Sequence, residues 1–432
     1  MKIVNIVPGF GGTFYCGNCL RDSAFVASLR QAGHDASILP MYLPLQVGIN
    51  TPDKDIPVFY GAVNIYLKQQ FPFMRNMPSW LEKFFNSTPI LKFAASKSSS
   101  TRATGLEEMT ESMLLGKNGN QSHELQQLVD FLKHHEKPDI VHFSNALLLG
   151  MAEQIRNELN VPVVFSLQDE DVWVDVMSEK YKQRIWDLMA EKAAVVDAFI
   201  PVSNYFASVM KTKMRIPDAK LHILPIGIDP GKYQFSEPAK EPRAIGYLSR
   251  ICEENGFGIL VDAFIILKKD LRFKDLKLRV TGGKTGDDDH FISEQYRKLR
   301  ENSISHDVEI FPEFTLEHLH KFFKSITLLS VPVLNGEAFG LYQLEALASG
   351  IPLVQPRLGA FPEIIESTGG GMIYESNTPQ ALSEALAEVL DSPSLLMQFS
   401  KSGHEAVLDT YDCRKVTLQM ISIYQGLLNK RI

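Results

Sequence analysis

The feature that most constrains this chain is an alternation, run through twice, of short apolar stretches with helix-length segments. Ile3 to Val7 is such a stretch; Pro8-Gly9-Phe10-Gly11-Gly12 breaks it, and a helix-like segment follows to about Ala32. Gly33-His34 ends that helix and Ala36 to Leu39 is the next apolar run. Runs without polar alternation suit strands buried on both faces, and strands separated by helices make parallel βαβ units. Asp139 to Phe143, Val161 to Leu167 and Ala198 to Val202 continue the pattern. Ser236-Glu237-Pro238-Ala239-Lys240-Glu241-Pro242, with two prolines and alternating charge, reads as a linker. The alternation then restarts with Ala244 to Leu248, Leu276 to Val280, Val308 to Phe311, Leu328 to Val331 and Leu353 to Gln355. Helices fall between these runs, Gly258 to Lys269 and Gly340 to Ala348 among them. Two consecutive α/β halves imply a cleft, with ligands outside the carboxyl ends of the strands.

Composition narrows the function classes. At 45% hydrophobic and 22% charged, the 432 residues are ordinary globular material, and about 150 residues per domain gives two to three domains. The balance of 44 basic and 51 acidic side chains, −7 in all, provides no basic field for nucleic acid. Four cysteines make no disulfide scaffold, which points to a reducing compartment. The apolar opening is too short for a signal peptide, and no apolar run approaches the roughly 18 residues of a span. The expectation is a cytoplasmic protein. Residues from about 50 to 125 interrupt the rhythm and read as an insertion in the first half. Its aromatics, Phe71, Phe73, Trp80, Phe84 and Phe85, are mixed with Lys68, Arg75, Lys83 and Lys92. The stretch 60–95 is either an apolar lid packed on the domain core or a peripheral contact with the inner membrane surface.

The sharpest chemical signal is the segment from Asn335 to Pro352. Glu337 falls in a loop after a strand and Glu345 falls eight residues on, in a helix made apolar by Leu341, Leu344, Leu347 and Ala348. A carboxylate at such a place needs a partner, and the hydroxyls of ribose or a hexose supply one. The amides of Phe339, Gly340 and Leu341 stand at the helix start, where phosphate is favoured, and Gly340 admits a ligand close to the backbone. The plainer reading is a loop Glu and one exposed helical Glu.

This segment resembles the E-x7-E signature of retaining GT-B glycosyltransferases of family 4, the group 1 transferases. Pro8 to Gly12 is similar to that family's N-terminal glycine loop, and Leu29 to Ala36 to its L-x3-G-H helix end. Asp139-Ile140-Val141-His142 resembles its D-x-x-H strand, and Val202-Ser203 with Pro225-Ile226-Gly227-Ile228-Asp229 its serine strand and P-N-G-(V/I)-D turn. Gly359 to Gly371, with Glu363, resembles its G-x3-E-x-I segment. The resemblance implies the GT-B fold: two Rossmann-like parallel-sheet domains facing each other across a cleft. An acceptor-side domain would occupy 1–235 and a nucleotide-sugar-binding domain 236–411, with a final helix, about 412–432, packed back on the first. It implies that Glu345 holds ribose hydroxyls, that Glu337 faces the transferred sugar, and that the amides of Phe339 to Leu341 touch sugar and diphosphate. Gly11, Gly12 and Gly282 would line the donor. No metal and no cofactor are implied, because positive side chains and helix ends neutralise the diphosphate leaving group.

The chain departs from the family pattern in two places. In the R-x4-K-G motif Arg250 and Gly256 fit, but Asn255 stands at the lysine. Loss of that charge weakens leaving-group stabilisation by ~2–4 kcal/mol. Lys284 either substitutes for it or is a solvated loop lysine. After the Val161 to Leu167 run, where many members carry T-x-H and then Gly or Asp, this chain reads Ser166-Leu167-Gln168-Asp169-Glu170. Gln168 positions a hydroxyl without shuttling a proton, and Asp169 is either a replacement base or a helix N-cap. Cys16-Gly17-Asn18-Cys19 is a CxxC near a helix start with no further ligand close in sequence, and His142 is a core or a site-lining histidine.

The reading implied is a hexosyl transferase moving a sugar from a nucleotide diphosphate donor to a glycan, lipid-linked or small hydroxyl acceptor in cell-surface glycan synthesis. Glu337, Arg250, Gln168 and Asp169 would act on the reaction. The alternatives are a degenerate, non-catalytic partner or regulatory subunit, for which Asn255 and Gln168 speak, and a nucleotide-sugar epimerase or hydrolase.

Overall fold

The computed structural model describes residues 1–9, 15, 17–42, 105–238 and 241–431, apart from the side chains of Asn18 and Cys19. Gly11, Gly12, Cys16, the Cys19 thiol and the stretch 60–95 therefore lie outside the described residues. The chain divides into two units: Met1–Gly12, Asn18–Pro225 and Val416–Ile432 form the first, and Thr13–Gly17 with Ile226–Lys415 the second.

In chain order the first unit holds β1 (Lys2–Val7), α1 (Gly17–Gln31), β2 (Asp35–Pro40), α2 (Glu107–Leu114), α3 (Ser122–Phe131) and β3 (Ile140–Phe143). There follow α4 (Ala152–Leu159), β4 (Val163–Leu167), α5 (Glu170–Val174), α6 (Glu179–Ala193), β5 (Ala198–Pro201) and α7 (Asn204–Met214). The sheet order is β2-β1-β3-β4-β5, every pairing parallel. Every residue of β3, β4 and β5 is buried, as their apolar runs require of strands covered on both faces. Ser203 caps α7, its hydroxyl accepting the Phe206 amide at 3.0 Å. α2 and α3, which both begin inside the expected insertion, are helices of this unit; Trp173 Nε1 donates to Thr110 Oγ1 at 3.1 Å.

The second unit holds β6 (Ala244–Leu248), α8 (Phe257–Lys268), β7 (Lys277–Thr281), α9 (Asp289–Glu301), β8 (Val308–Ile310), α10 (Leu316–Ser325) and β9 (Leu328–Leu329). Then come α11 (Leu341–Ala348), β10 (Leu353–Pro356), α12 (Phe361–Thr368), β11 (Gly371–Tyr374), α13 (Pro379–Leu390) and α14 (Pro393–Thr410). The order is β11-β10-β9-β6-β7-β8, again all parallel. β9 is shorter than its apolar run: the Val331 amide donates to the Gln355 side-chain oxygen at 3.0 Å rather than to a neighbouring strand, and Pro332 next to it has no amide. The strand order reverses between β6 and β9, the place beside which open parallel sheets hold their ligands. In the first unit the same reversal lies between β1 and β3.

The passage into the second unit falls at Pro225–Ile226, ahead of the proline-bounded stretch. The Ile228 amide donates to the Tyr411 carbonyl at 2.9 Å, and the Cys413 amide to the Ile228 carbonyl at 2.7 Å, which ties the turn at 225–229 to the end of α14. The last helix, α15 (Cys413–Asn429), places Val416, Met420, Ile421, Tyr424 and Leu427 in one core with Ile3, Val7, Val26, Ile38 and Ile140. The spacing of 416, 420, 424 and 427 makes a single helical face. Leu418 is 60% exposed, because two residues on from Val416 is roughly 200° round the helix.

Candidate active site

The second unit gathers its candidates on the loops at the carboxyl ends of its strands. After β9, Gly336 and Gly359 bring the Glu337 loop against the turn after β10, where the Ala360 amide donates to the Glu337 carbonyl at 3.0 Å. Glu337 is half-buried, and its carboxylate lies over Gly340: a Cβ there would stand 2.5 Å from Glu337 Oε2. Gly340 has φ +84°, a conformation that side-chain-bearing residues rarely adopt. α11 begins at the next residue, Leu341, and all eight of its residues are buried. Phe339 packs edge-on against Tyr411, with centroids 6.1 Å apart. Tyr342 is buried beside Glu337, and burial first, then that carboxylate, raises its phenol well above the usual range.

Glu345 is the most buried carboxylate of the segment, 2% exposed. Its two oxygens have separate partners. Tyr15 Oη donates to Oε2 at 2.5 Å and Tyr233 Oη to Oε1 at 2.6 Å. Burial pushes the carboxyl up to about 7, while the two phenol bonds pull it back. The partner that the sequence suggested would be a ligand hydroxyl is, in the chain alone, a pair of tyrosines. Tyr15 also connects the Gly282 turn to this carboxylate, since its amide donates to the Gly282 carbonyl at 2.8 Å.

The cations are already engaged. Arg250 holds Asp288 in a two-point bridge, Nε to Oδ2 at 3.0 Å and Nη2 to Oδ1 at 2.9 Å. Asp288 further accepts the Thr285 amide at 2.7 Å and hydroxyl at 2.8 Å. Its carboxyl is lowered: burial opposes, but the Arg250 bridge and the Thr285 bonds prevail. Asn255 donates its amide to Ser249 Oγ at 2.8 Å and to the Arg250 carbonyl at 3.2 Å, so it closes its own loop. Tyr247 of β6 reaches the same loop, donating to the Arg250 carbonyl at 2.9 Å. Gly256 lets this loop touch the one after β9: a Cβ would lie 1.8 Å from the Pro332 carbonyl oxygen. Lys284 is exposed and pairs with Asp289.

The first unit carries the remaining candidates. Gln168 is 3% exposed; its Nε2 donates to the Ser144 carbonyl at 2.7 Å, and its Oε1 is buried without a hydrogen-bond partner. Asp169 has φ +58° and makes no side-chain cap of α5, so the N-cap alternative is not what the structure contains. Glu170, which the sequence reading passed over, is fully buried, with Oε1 accepting the Ala146 amide at 2.8 Å and Oε2 the Gln168 amide at 2.7 Å. It clips the loop after β3 to the loop after β4. Burial raises its carboxyl to about 8, despite the two amides. His142 lies in the core between Tyr424 Oη and Ser166 Oγ, 2.8 Å from the latter, and burial lowers it to about 3. Among the described residues no three His, Cys, Asp or Glu side chains gather at ion-holding distances.

Of the residues missed in the sequence, Tyr15 and Tyr233 had a faint signal: one stands just after the glycine loop, the other four residues after Asp229. Asp288 and Glu170 had none beyond being acidic.

Comparison with known proteins places both halves. The model of "Glycosyl transferases group 1" matches residues 231–406, and that of "Glycosyltransferase Family 4" residues 111–232. The MMP α-(1→4)-mannosyltransferase of Mycolicibacterium hassiacum is 24% identical over 300 residues, 66% of this chain and 70% of that one. The solved sucrose-phosphate synthase of Thermosynechococcus elongatus shares the fold with a TM-score of 0.71 at 16% identity, over 100% of both chains. HepE of Anabaena, solved in complex with UDP and glucose, shares it with a TM-score of 0.68 at 12% identity, over 99% of this chain and 100% of that one.

Proposed function

Because this chain belongs to glycosyltransferase family 4, the group 1 transferases of GT-B fold, we propose that it transfers a hexosyl unit from a nucleotide diphosphate sugar to a hydroxyl acceptor with retention at the anomeric carbon. The observation that carries this reading is the pair Glu337 and Glu345 on one loop and helix, after the strand at which the second sheet reverses its order. A buried carboxylate accepts hydrogen bonds only, which suits the vicinal hydroxyls of a ribose. Glu337, half-buried over Gly340, suits a hydroxyl of the transferred sugar. The start of α11 and the Arg250 guanidinium suit the diphosphate. The UDP and glucose held by HepE support a donor of this kind.

In the reaction proposed, the bond from the anomeric carbon to the diphosphate oxygen breaks, and a bond to the acceptor oxygen forms on the same face. The acceptor proton passes to the departing phosphate, so no enzyme base, metal or cofactor is required. Gln168, with its buried Oε1, would accept a hydroxyl hydrogen in the first unit. The acceptor class is a glycan, a lipid-linked saccharide or a small polyol, in cell-surface glycoconjugate synthesis at the cytoplasmic side. No helix among the described residues is long and apolar enough to cross a membrane.

Thermal unfolding against UDP, GDP, ADP and CMP tests the reading, with Glu345→Ala as control. A nucleotide at about 100 times its Kd stabilises by ~2.7 kcal/mol, a rise of a few degrees. A rise with one nucleotide, lost in the variant, is expected; no rise with any of them sinks the donor site. A second reading, a non-catalytic partner, is favoured by Arg250 being engaged with Asp288 and by Asn255 standing at the lysine. On that reading Asn255→Lys creates nucleotide binding that the natural chain lacks.

A further inference from the structure

We propose that Tyr15 and Tyr233 are positioning residues of the donor site, acting through Glu345: each phenol takes one carboxylate oxygen and leaves that oxygen one acceptor position for a hydroxyl of a vicinal diol. The inference rests on the donor reading of Glu345 given above. Its basis is the geometry of a carboxylate that has no cation on it among the described residues. Tyr15 Oη lies 2.5 Å from Oε2 and Tyr233 Oη 2.6 Å from Oε1. An ionised carboxylate has about four acceptor positions, so two phenols fill half of them, one on each oxygen. The charge is thus held in place by neutral donors. A lysine or arginine would have neutralised it.

The two tyrosines come from different segments. Tyr233 follows the short helical turn Pro230–Lys232, whose start Asp229 caps, its Oδ1 accepting the Gly231 amide at 3.2 Å. Tyr15 is fixed through its backbone amide on the Gly282 carbonyl, 2.8 Å away. With a separate anchor for each phenol, the carboxylate plane is set before a nucleotide arrives, which is the condition for binding without loss of rotamer freedom. Among the described residues the groups facing Glu345 are few. Glu337 bears on Tyr15, and Asp229 on Tyr233. His404 of α14, which packs on the same helix, is bonded to the Ala348 carbonyl at 2.7 Å. Burial raises the Glu345 carboxyl, and the two phenols are what favour its ionised form.

The experiment uses the full chain and its Tyr15→Phe, Tyr233→Phe and Glu345→Gln variants. Phenylalanine keeps the ring and removes only the hydroxyl. Calorimetric titration with UDP, GDP, ADP and CMP and with their 2′-deoxy forms, from pH 6 to 8.5, reads the diol. Each Phe variant is expected to bind the ribonucleotide about tenfold more weakly at pH 7, the value of one charge-assisted hydrogen bond. The loss should grow as pH falls, and the preference for ribo over 2′-deoxy should shrink. Unchanged or tighter binding in the Phe variants, with wild type binding a nucleotide, overturns the inference, since the phenols then merely occupy the diol's place or do nothing. A second measurement needs no nucleotide. The infrared band of the protonated Glu345 carboxyl, assigned by its loss in Glu345→Gln, should persist to higher pH in each Phe variant. If that band titrates unchanged, the phenols do not govern the carboxylate and the inference fails. If the band moves while no nucleotide binds to wild type, the phenols govern Glu345 but the donor reading has failed, and the diol assignment is overturned with it.

Discussion

Glu170 is fully buried with no cation beside it among the described residues, yet two backbone amides donate to it. Its folded carboxyl titrates near 8 against 4.5 for an ordinary one, so the folded chain binds the extra proton between those values. The stability this group contributes is therefore whole below about pH 4.5 and is lost as pH rises through about 8. His142 has the opposite sign, folded near 3 against 6.5, and loses its contribution as pH falls below 6.5. From pH 6.5 to 8.5 Glu170 and, to about 7, Glu345 are left to act. The melting temperature is expected to fall over that range, and Glu170→Gln to flatten the fall. A variant whose melting curve keeps the wild-type slope would show that Glu170 is not the group. Residues of this kind were invisible in the sequence. Glu337 and Glu345 were legible because their spacing, Gly340 and an apolar helix are local features. Glu170, Asp288 and the two tyrosines act through partners brought near by the fold; Tyr15 and Glu345 are 330 positions apart. Lys284 illustrates the converse: a cation at a suggestive place in the sequence that pairs with a neighbouring aspartate on an exposed loop.

At the scale of elements, the strands were legible because a parallel strand buried on both faces is an uninterrupted apolar run. Ala244 to Leu248 was read at its observed bounds. β11 was missed: it is four residues long and opens directly from the Gly369-Gly370 turn, so it reads as loop. It is fixed by the register of its neighbour, Leu353 against Gly371 through Pro356 against Tyr374. The join between the β9 loop and α11 gives a prediction. Gly340→Ala forces a strained backbone and sets its methyl against Glu337 Oε2. It should cost about 1–3 kcal/mol of stability and displace Glu337. Turnover should fall further than the melting shift explains; parallel losses in both would argue that Glu337 has no part in the chemistry. Gly256→Ala meets backbone at 1.8 Å, where no side chain is there to yield, and should destabilise more.

At the scale of the molecule, the two-fold run of βα units in the sequence is mirrored by two parallel sheets, and the assignment of α15 to the first unit by one shared core. That core makes truncation a unit-specific event. Ending the chain at Lys415 removes five buried apolar side chains, Val416, Met420, Ile421, Tyr424 and Leu427. At roughly 1.5–3 kcal/mol each this approaches or exceeds the stability of a whole domain, about 5–15 kcal/mol. Hydrogen exchange should find β1, β3 and β4 unprotected in the truncated chain while β6, β7 and β10 keep their protection. Retained protection in β1 would refute the dependence.

The same helix dictates an order of birth. Ile3 and Leu427 belong to one core but are synthesised 424 positions apart. The second unit, whose pieces run from Thr13–Gly17 to Lys415, has been synthesised before Val416 and the later core residues of α15 are added. The first sheet must wait, its β1 already synthesised but its last covering face still to come. The nascent first unit exposes apolar surface until α15 has emerged to cover it, which makes it the chaperone-dependent part of the chain.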